Sequence, residues 1–305
     1  MSFFSPQIRI LLGAFCISFS AIFVRLVEVP ASTSGFYRVF LGGIALCLYM
    51  VATGLRFNFS KRVWLILSAT AVFFAADLWF WHRSIHYIGP GLSTLLASLQ
   101  VFFVTIIGAL FLGQKATLRQ ILAIPVALLG LSLIVGLDWS VLSPSYRLGV
   151  IFGIFTAMSY SLYLLSLRRA QQETKSTIPI AEIAAMSLLT AVILAVSVVV
   201  EGESLSIGSP SDASWLLAYA ILAHCVGWLL ISSALAHVTP AVFGLSLLLQ
   251  PTLSFLWDIL LFDRGFTATE ASGAVITLVA IFIGSVRRRR RSPVGATLDA
   301  SERSM

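Results

Sequence analysis

The chain has 305 residues, of which 58% are hydrophobic and only 11% are charged, and its mean hydropathy is +0.97. A protein folded in water cannot hide so many apolar side chains, so this composition excludes an ordinary soluble domain. The net charge of +7 does not indicate nucleic-acid binding, because the cations stand at the ends of apolar runs rather than on a polar face. We therefore expect a protein that spans a lipid bilayer.

Ten apolar segments follow one another along the chain, separated by short breaks rich in proline, glycine, serine and charge. A helix needs about 20 apolar residues to cross a hydrocarbon core about 30 Å thick, and the segments have that length. Short breaks also predict that neighbouring helices run antiparallel. The predicted spans are residues 8–26, 34–54, 62–84, 90–112, 117–136, 148–168, 179–200, 213–234, 240–262 and 267–286.

Basic residues are distributed unevenly over the predicted loops. If both termini are cytoplasmic, 15 of the 20 lysines and arginines fall on the cytoplasmic side, as the positive-inside rule requires. Five consecutive arginines, residues 287–291, directly follow the last span. We therefore predict that both termini are cytoplasmic and that residues 287–305 form a basic, disordered tail.

The sequence also contains an internal repeat. Residues 84–117 align without a gap to residues 234–267, a register of 150 residues. Leucine matches between apolar segments carry little weight, so the alignment depends on its polar and proline positions. These are Pro90 with Pro240, Gln100 with Gln250, and Thr117 with Thr267.

A repeat unit with an odd number of spans enters the membrane in the opposite orientation the second time. The predicted fold is therefore all-α, a polytopic membrane protein with ten transmembrane helices arranged as two inverted five-helix repeats, residues 1–147 and 148–286. Inverted repeats are typical of secondary transporters, because two such halves can exchange shapes and open a central site to either side in turn.

Residues 95–135 (LLASLQVFFVTIIGALFLGQKATLRQILAIPVALLGLSLIV) and 245–284 (LSLLLQPTLSFLWDILLFDRGFTATEASGAVITLVAIFIG) resemble the paired halves of EamA-type transporters of the drug/metabolite transporter superfamily. Arg38 and the stretch AADLWFWHRSI in the third span extend this resemblance, which covers residues 8–286. Gln100 departs from it, because the family usually has a proline there. The resemblance implies a bacterial inner-membrane carrier with a central cavity that exports amino acids or similar metabolites.

Charged side chains within the predicted spans are the first candidates for a site, because a charge near the bilayer centre costs at least ~2.5–3.5 kcal/mol. Asp77 lies in the third span, and Trp81 follows it one turn later on the same face. This pair would bind an ammonium group, or Asp77 would take up a proton that couples transport. Arg38 would bind a carboxylate through its guanidinium fork. The structural alternative is an ion pair between Asp77 and Arg38 that holds two helices together.

Two glutamines related by the repeat are the next candidates. Gln100 and Gln250 fall near the middle of the fourth and ninth spans, so we expect their amides at one depth. Two such amides suit a central site for an uncharged or zwitterionic ligand. The alternative is a hydrogen bond between helices, typically worth ~0.6 kcal/mol in a membrane bundle.

Aromatic and imidazole side chains of the second half complete the candidate binding set. His224 and Trp228 are one turn apart in the eighth span, which corresponds to the third, and they line the cavity or pack between helices. Tyr160 and Tyr163 in the sixth span stack on a ligand or fill the core.

Other polar residues are expected outside the site. We expect Arg83 to reach the membrane interface, Trp79 to face lipid, and His82 to serve either a gate or the interface. Asp258 is expected to be solvated at the outer mouth, and Glu182 is expected at the interface.

The sequence has no glycine-rich phosphate loop, no metal-ligand cluster and no nucleophile–base pair. We therefore expect no enzyme activity, cofactor or metal. The predicted partners are the bilayer, a small-molecule substrate and, as a coupling ion, the proton. The main hypothesis is a secondary transporter that exports small polar metabolites by alternating access. The alternatives are an intramembrane enzyme with Asp77 and His224 as acid and base, and a scaffold that transports nothing.

Overall fold

The computed structural model describes residues 4–111, 117–135, 141–176, 179–235, 249–263 and 265–285. These residues form helices and no strand, which confirms the all-α prediction. The predicted tail, residues 287–305, lies outside them. The helices are α1 (Pro6–Leu26), α2 (Ala31–Thr53), α3 (Lys61–Ile88), α4 (Pro90–Phe111), α5 (Leu118–Val135), α6 (Pro144–Thr174), α7 (Ile180–Val200), α8 (210–235), α9 (Leu249–Phe262) and α10 (Ala268–Ser285).

Helices α1 to α8 are long and apolar enough to cross a membrane, and α9 and α10 are shorter apolar helices. The first part of the predicted ninth span, residues 240–248, lies outside the described residues. Helix α6 is longer than the predicted span 148–168. Its start is set by Ser143, whose hydroxyl accepts a hydrogen bond from the Tyr146 N–H, and by Pro144 in the first turn.

The packing of the helices reflects the inverted repeat. Helix α2 packs against α7, α4 against α9, and α5 against α10, so each pairs with its counterpart from the other half. Helix α3 packs against α6, and its counterpart α8 packs in the same way against α1. A shift of five helices therefore reproduces the contact pattern, which confirms two repeated five-helix halves.

Helices α5 and α10 approach closely because glycines meet where they cross. A Cβ atom built on Gly273 would lie 2.6 Å from the Gly130 carbonyl oxygen, and one built on Gly130 would lie 2.7 Å from the Gly273 carbonyl oxygen. Small residues at such contacts allow the backbones to pack directly.

Gly273→Leu is expected to lower the melting temperature of the purified protein by several degrees, because overpacking a tight contact typically costs about 1–3 kcal/mol. Differential scanning fluorimetry in detergent measures this change. Gly265→Leu is the matched control, because a Cβ there meets nothing within 4 Å. Equal melting temperatures for the two variants would contradict a close α5–α10 contact.

Candidate functional site

A cavity of about 130 Å³ is lined by residues from both halves. The cavity has four aromatic walls, Phe74, Trp81, Tyr160 and Trp228. Its polar lining consists of Ser20, Arg38, Asp77, Thr94, Ser98, Gln100, Thr156 and Gln250.

Two helices are interrupted beside this cavity. Helix α1 consists of Pro6–Ser18 and Ser20–Leu26, and α4 consists of Pro90–Ala97 and Gln100–Phe111. Ser20 and Gln100, which follow the two interruptions, both line the cavity. Irregular backbone at membrane depth is tolerated where it borders a cavity, and transporter sites are typically built from such discontinuous helices.

Arg38 on α2 is buried at 5% exposure and is enclosed by aromatic rings. Its guanidinium carbon lies 4.9 Å from the ring centroid of Tyr219, 5.7 Å from that of Phe74 and 5.8 Å from that of Trp81. Its Nη1 donates a hydrogen bond to the Tyr219 hydroxyl at 2.9 Å. Cation–π contacts of this kind stabilise a desolvated cation.

Asp77 on α3 is 7% exposed and lines the same cavity. Its carboxylate makes no hydrogen bond or ion pair with any other residue that the structure describes, and Arg38 has no carboxylate within 4.0 Å among them. The structural alternative, a direct Asp77–Arg38 ion pair, is therefore not formed. A carboxyl group and a guanidinium group therefore line one cavity without forming an ion pair.

Unpartnered polar atoms are concentrated at this cavity. Among the described residues, seven buried side-chain nitrogen or oxygen atoms have no hydrogen-bond partner, and four belong to residues that line the cavity. Each such atom costs roughly 1–3 kcal/mol unless something satisfies it. The four are Ser20 Oγ, Arg38 Nε, Thr94 Oγ1 and Gln100 Oε1.

Of the nine side chains predicted for the site, two do not reach the cavity. Tyr163 stacks on Phe74 at 4.5 Å between ring centroids and belongs to the core behind it. The His224 ring also stacks on Phe74, at 6.1 Å, and its Nε2 lies 2.8 Å from the Ser187 hydroxyl. The other seven line the cavity: Arg38, Asp77, Trp81, Gln100, Tyr160, Trp228 and Gln250.

The local geometry of α8 explains why Trp228 lines the cavity and His224 does not. Residues Tyr219–Gly227 form a π-helix between the α-helical segments Pro210–Ala218 and Trp228–Leu235. A π-helix has more residues per turn than an α-helix, so residues four apart no longer lie in line. His224 and Phe74 are 150 residues apart and so occupy equivalent positions in the repeat. Their rings stack on each other.

Sequence reasoning missed the hydroxyl-bearing residues of the site. Ser20, Thr94 and Thr156 carry no charge, and hydroxyls are common in membrane helices, where they bond to the carbonyl of the preceding turn. Tyr219 was also missed; it does not line the cavity itself but accepts a hydrogen bond from Arg38, which does. The only sequence signal for these residues was their depth within predicted spans.

Two carboxylates expected near solvent are buried instead. Asp258 on α9 accepts a hydrogen bond from the Gly91 N–H at 3.0 Å, in the first turn of α4, and is 2% exposed. A carboxylate at a helix N-terminus is stabilised by the helix dipole. Glu182 is likewise buried and accepts a hydrogen bond from the Thr174 hydroxyl.

A polar cluster joins the ends of α3 and α7 to the start of α2. We call it the Arg83 cluster, and it consists of Ser32, Trp79, Arg83, Glu201 and Glu203. Arg83 forms an ion pair with Glu201, which also accepts hydrogen bonds from the Ser32 hydroxyl and the Trp79 indole N–H. The guanidinium carbon of Arg83 lies 3.8 Å from a ring centroid of Trp79. Trp79 and Arg83 therefore contact protein partners at this end of the bundle.

The cluster keeps Glu201 ionised. Burial by itself would raise the pKa of Glu201, but hydrogen bonds from Trp79, Ser32 and Ser197, together with Arg83, lower that pKa to about 2. Because the folded-state pKa of Glu201 lies below its ordinary value of about 4.3, ionised Glu201 contributes its full stabilisation above about pH 4.3. The stabilisation is lost as the pH falls towards 2.

Glu201→Gln is expected to lower the melting temperature at pH 7 by about 2–4 °C, as roughly 1 kcal/mol does in a chain of this size. The difference from the unsubstituted protein should be constant from pH 8 to 5 and shrink below about pH 4. Fluorimetric melting across pH measures both effects. Glu28→Gln, at an exposed position, is the control, and equal shifts in the two variants would contradict the role of the cluster.

Two inverted five-helix halves around a cavity lined by residues of both are typical of polytopic membrane carriers. The chain belongs to the EamA-like transporter family, whose model matches residues 6–136 and again residues 147–286. This match confirms the family resemblance seen in the sequence and identifies a transporter.

Comparison with solved structures shows the same fold. One crystal structure superposes with a TM-score of 0.66 at 16% sequence identity, covering 92% of this chain and 98% of the other. At this identity the likeness concerns the fold alone. No curated protein matches the sequence significantly.

Proposed function

We propose that this protein is a secondary transporter that exports small zwitterionic metabolites, amino acids among them, across a bacterial inner membrane. The observation that carries the proposal is the presence in one cavity of the Arg38 guanidinium and the Asp77 carboxyl group, which have no ion-pair partner among the described residues. The ligand carboxylate binds the Arg38 fork, and the ammonium group binds Asp77 beside the Trp81 ring.

The polar groups around this pair and the size of the cavity favour a small polar ligand. Gln100 and Gln250 enter the cavity from α4 and α9, and the Ser20 and Thr94 hydroxyls have no other partner within the described chain. A buried polar group left unpaired disfavours an apolar ligand, so these atoms select solutes with donors and acceptors. The aromatic walls and the small volume limit the side chain that can enter.

The inverted repeat supports alternating access, in which residues 1–147 and 148–286 would exchange conformations. The Arg83 cluster fastens α2, α3 and α7 at one end of the bundle. From the positive-inside distribution we infer that this end faces the periplasm and that both termini are cytoplasmic. Export as the direction rests on the family resemblance, and Asp77 is the carboxylate through which protons would couple.

The enzyme alternative receives no support from the site. His224, the proposed base, lies behind Phe74 and hydrogen-bonds Ser187 rather than facing the cavity with Asp77. A catalytic pair must reach the same substrate.

A thermal-shift screen of the purified protein with the twenty proteinogenic amino acids tests the proposal. We expect at least one neutral amino acid to raise the melting temperature, because a ligand bound only by the folded state stabilises it. Its decarboxylated amine and its deaminated acid are the controls, and each should stabilise less. No shift with any amino acid, or equal shifts with the two analogues, would contradict a zwitterion site.

A further inference from the structure

The cavity arginine is held from its rear side by a chain of polar contacts. Arg38 Nη1 donates to the Tyr219 hydroxyl at 2.9 Å, and that hydroxyl lies 3.4 Å from His82 Nε2. The other ring nitrogen, His82 Nδ1, lies 2.7 Å from the Leu78 carbonyl oxygen. These contacts connect α2, α8 and α3, and His82 and Tyr219 are both fully buried.

The direction of each hydrogen bond follows from its chemistry. A carbonyl oxygen only accepts, so His82 Nδ1 carries the proton that bonds Leu78. A proton on Nε2 as well would place a second cation beside the buried guanidinium, with no carboxylate bonded to His82, which is costly at membrane depth. His82 Nε2 is therefore a bare acceptor and the Tyr219 hydroxyl donates to it. The Tyr219 oxygen then has its lone pairs free to accept from Arg38.

We propose that Tyr219 is a positioning residue, oriented by His82, that fixes the Arg38 guanidinium so that its remaining N–H groups face the cavity ligand. This inference rests on the proposed function, because it assigns to the held guanidinium the carboxylate of the substrate. Arg38 Nε is buried and has no hydrogen-bond partner among the described residues, so the chain of contacts satisfies one edge of the fork and leaves the Nε–H unsatisfied.

The structure of α8 favours this role. Tyr219 is the first residue of the π-helical segment Tyr219–Gly227, and π-helical turns change the direction of side chains at functional sites. The guanidinium carbon of Arg38 also lies over the Tyr219 ring, 4.9 Å from the ring centroid. One side chain thus contacts Arg38 through both its face and its hydroxyl, which restricts rotation of a long, flexible cation.

The hydrogen-bond directions are tested without any ligand. Nitrogen-15 NMR of histidine-labelled full-length protein in bilayers distinguishes protonated from bare ring nitrogens, and His82→Gln assigns the signals. We expect His82 to be neutral with its proton on Nδ1, and Tyr219→Phe to shift its Nε2 signal because the hydroxyl donor is lost. A proton on Nε2, or an unchanged signal in Tyr219→Phe, would overturn the inference.

Ligand affinity tests the positioning role itself. The probes are the tightest-binding neutral amino acid of the twenty and its decarboxylated amine. Tyr219→Phe is expected to weaken binding of the amino acid by about tenfold and binding of the amine by less than about twofold, because only the amino acid uses Arg38. Tyr37→Phe is the matched control, since its hydroxyl also donates one hydrogen bond, to the Leu205 carbonyl outside the cavity.

The two measurements separate this inference from the proposed function. Equal loss of affinity for both probes in Tyr219→Phe would indicate a general structural defect and overturn the positioning role. If the unsubstituted protein binds no amino acid, the proposed substrate class is wrong, and the NMR experiment still decides whether Tyr219 holds Arg38.

Discussion

Arg38→Met is expected to weaken amino-acid binding by about 10- to 100-fold. A charge-assisted, two-pronged bond to the ligand carboxylate is worth roughly 1.5–3 kcal/mol, and methionine keeps the length of the side chain without its charge or donors. Isothermal titration calorimetry in detergent measures the change.

The same substitution separates a binding role from a structural one. Arg38 is buried with no carboxylate partner among the described residues, so its removal takes an unpaired charge out of the membrane interior and should leave the melting temperature unchanged or raise it. Arg62→Met is the control, because Arg62 forms an exposed ion pair with Glu173. A fall in melting temperature without loss of affinity would show that Arg38 only holds the helices together.

Asp77→Asn is expected to keep the fold, to weaken amino-acid binding by about tenfold and to make transport less dependent on pH. The carboxylate has no partner in the described structure, so the isosteric amide breaks no contact. The substitution removes the carboxyl group that would bind the ligand ammonium group and exchange a proton, and no other carboxyl group lines the cavity among the described residues. Flux into proteoliposomes, measured across a series of pH values, tests both effects.

A second buried carboxylate provides the control for this prediction. Asp258→Asn alters a carboxylate of similar burial that bonds the Gly91 N–H rather than facing the cavity. We expect it to lower thermal stability and leave the pH profile of transport unchanged. An unaltered affinity and pH profile in Asp77→Asn would remove Asp77 from the mechanism.

The features that the sequence predicted well are those in which lipid imposes a strict physical requirement. Every span must contain about 20 apolar residues, so the helices could be predicted from the apolar segments, and the 150-residue register related Gln100 to Gln250. An intramembrane charge is costly enough to mark a site, and Arg38 and Asp77 do line one cavity.

What the sequence did not predict depends on local geometry and on contacts between distant residues. The π-helical turn of α8 places His224 out of line with Trp228, and no sequence pattern predicts such a turn. Asp258 meets Gly91 across 167 residues of chain, so its burial follows only from the packing of α4 against α9. Tyr219 has the composition of an ordinary core residue, and its role becomes visible only beside Arg38.

Counterflow in proteoliposomes tests the central claim most directly. Vesicles containing the purified protein are loaded with an unlabelled neutral amino acid, and uptake of the labelled amino acid is followed against vesicles loaded with its amine or its carboxylic acid. Alternating access at a zwitterion site predicts fast uptake only with the amino acid inside, and its loss in Arg38→Met. Equal uptake with all three internal solutes, or no uptake with any amino acid tested, would contradict the account.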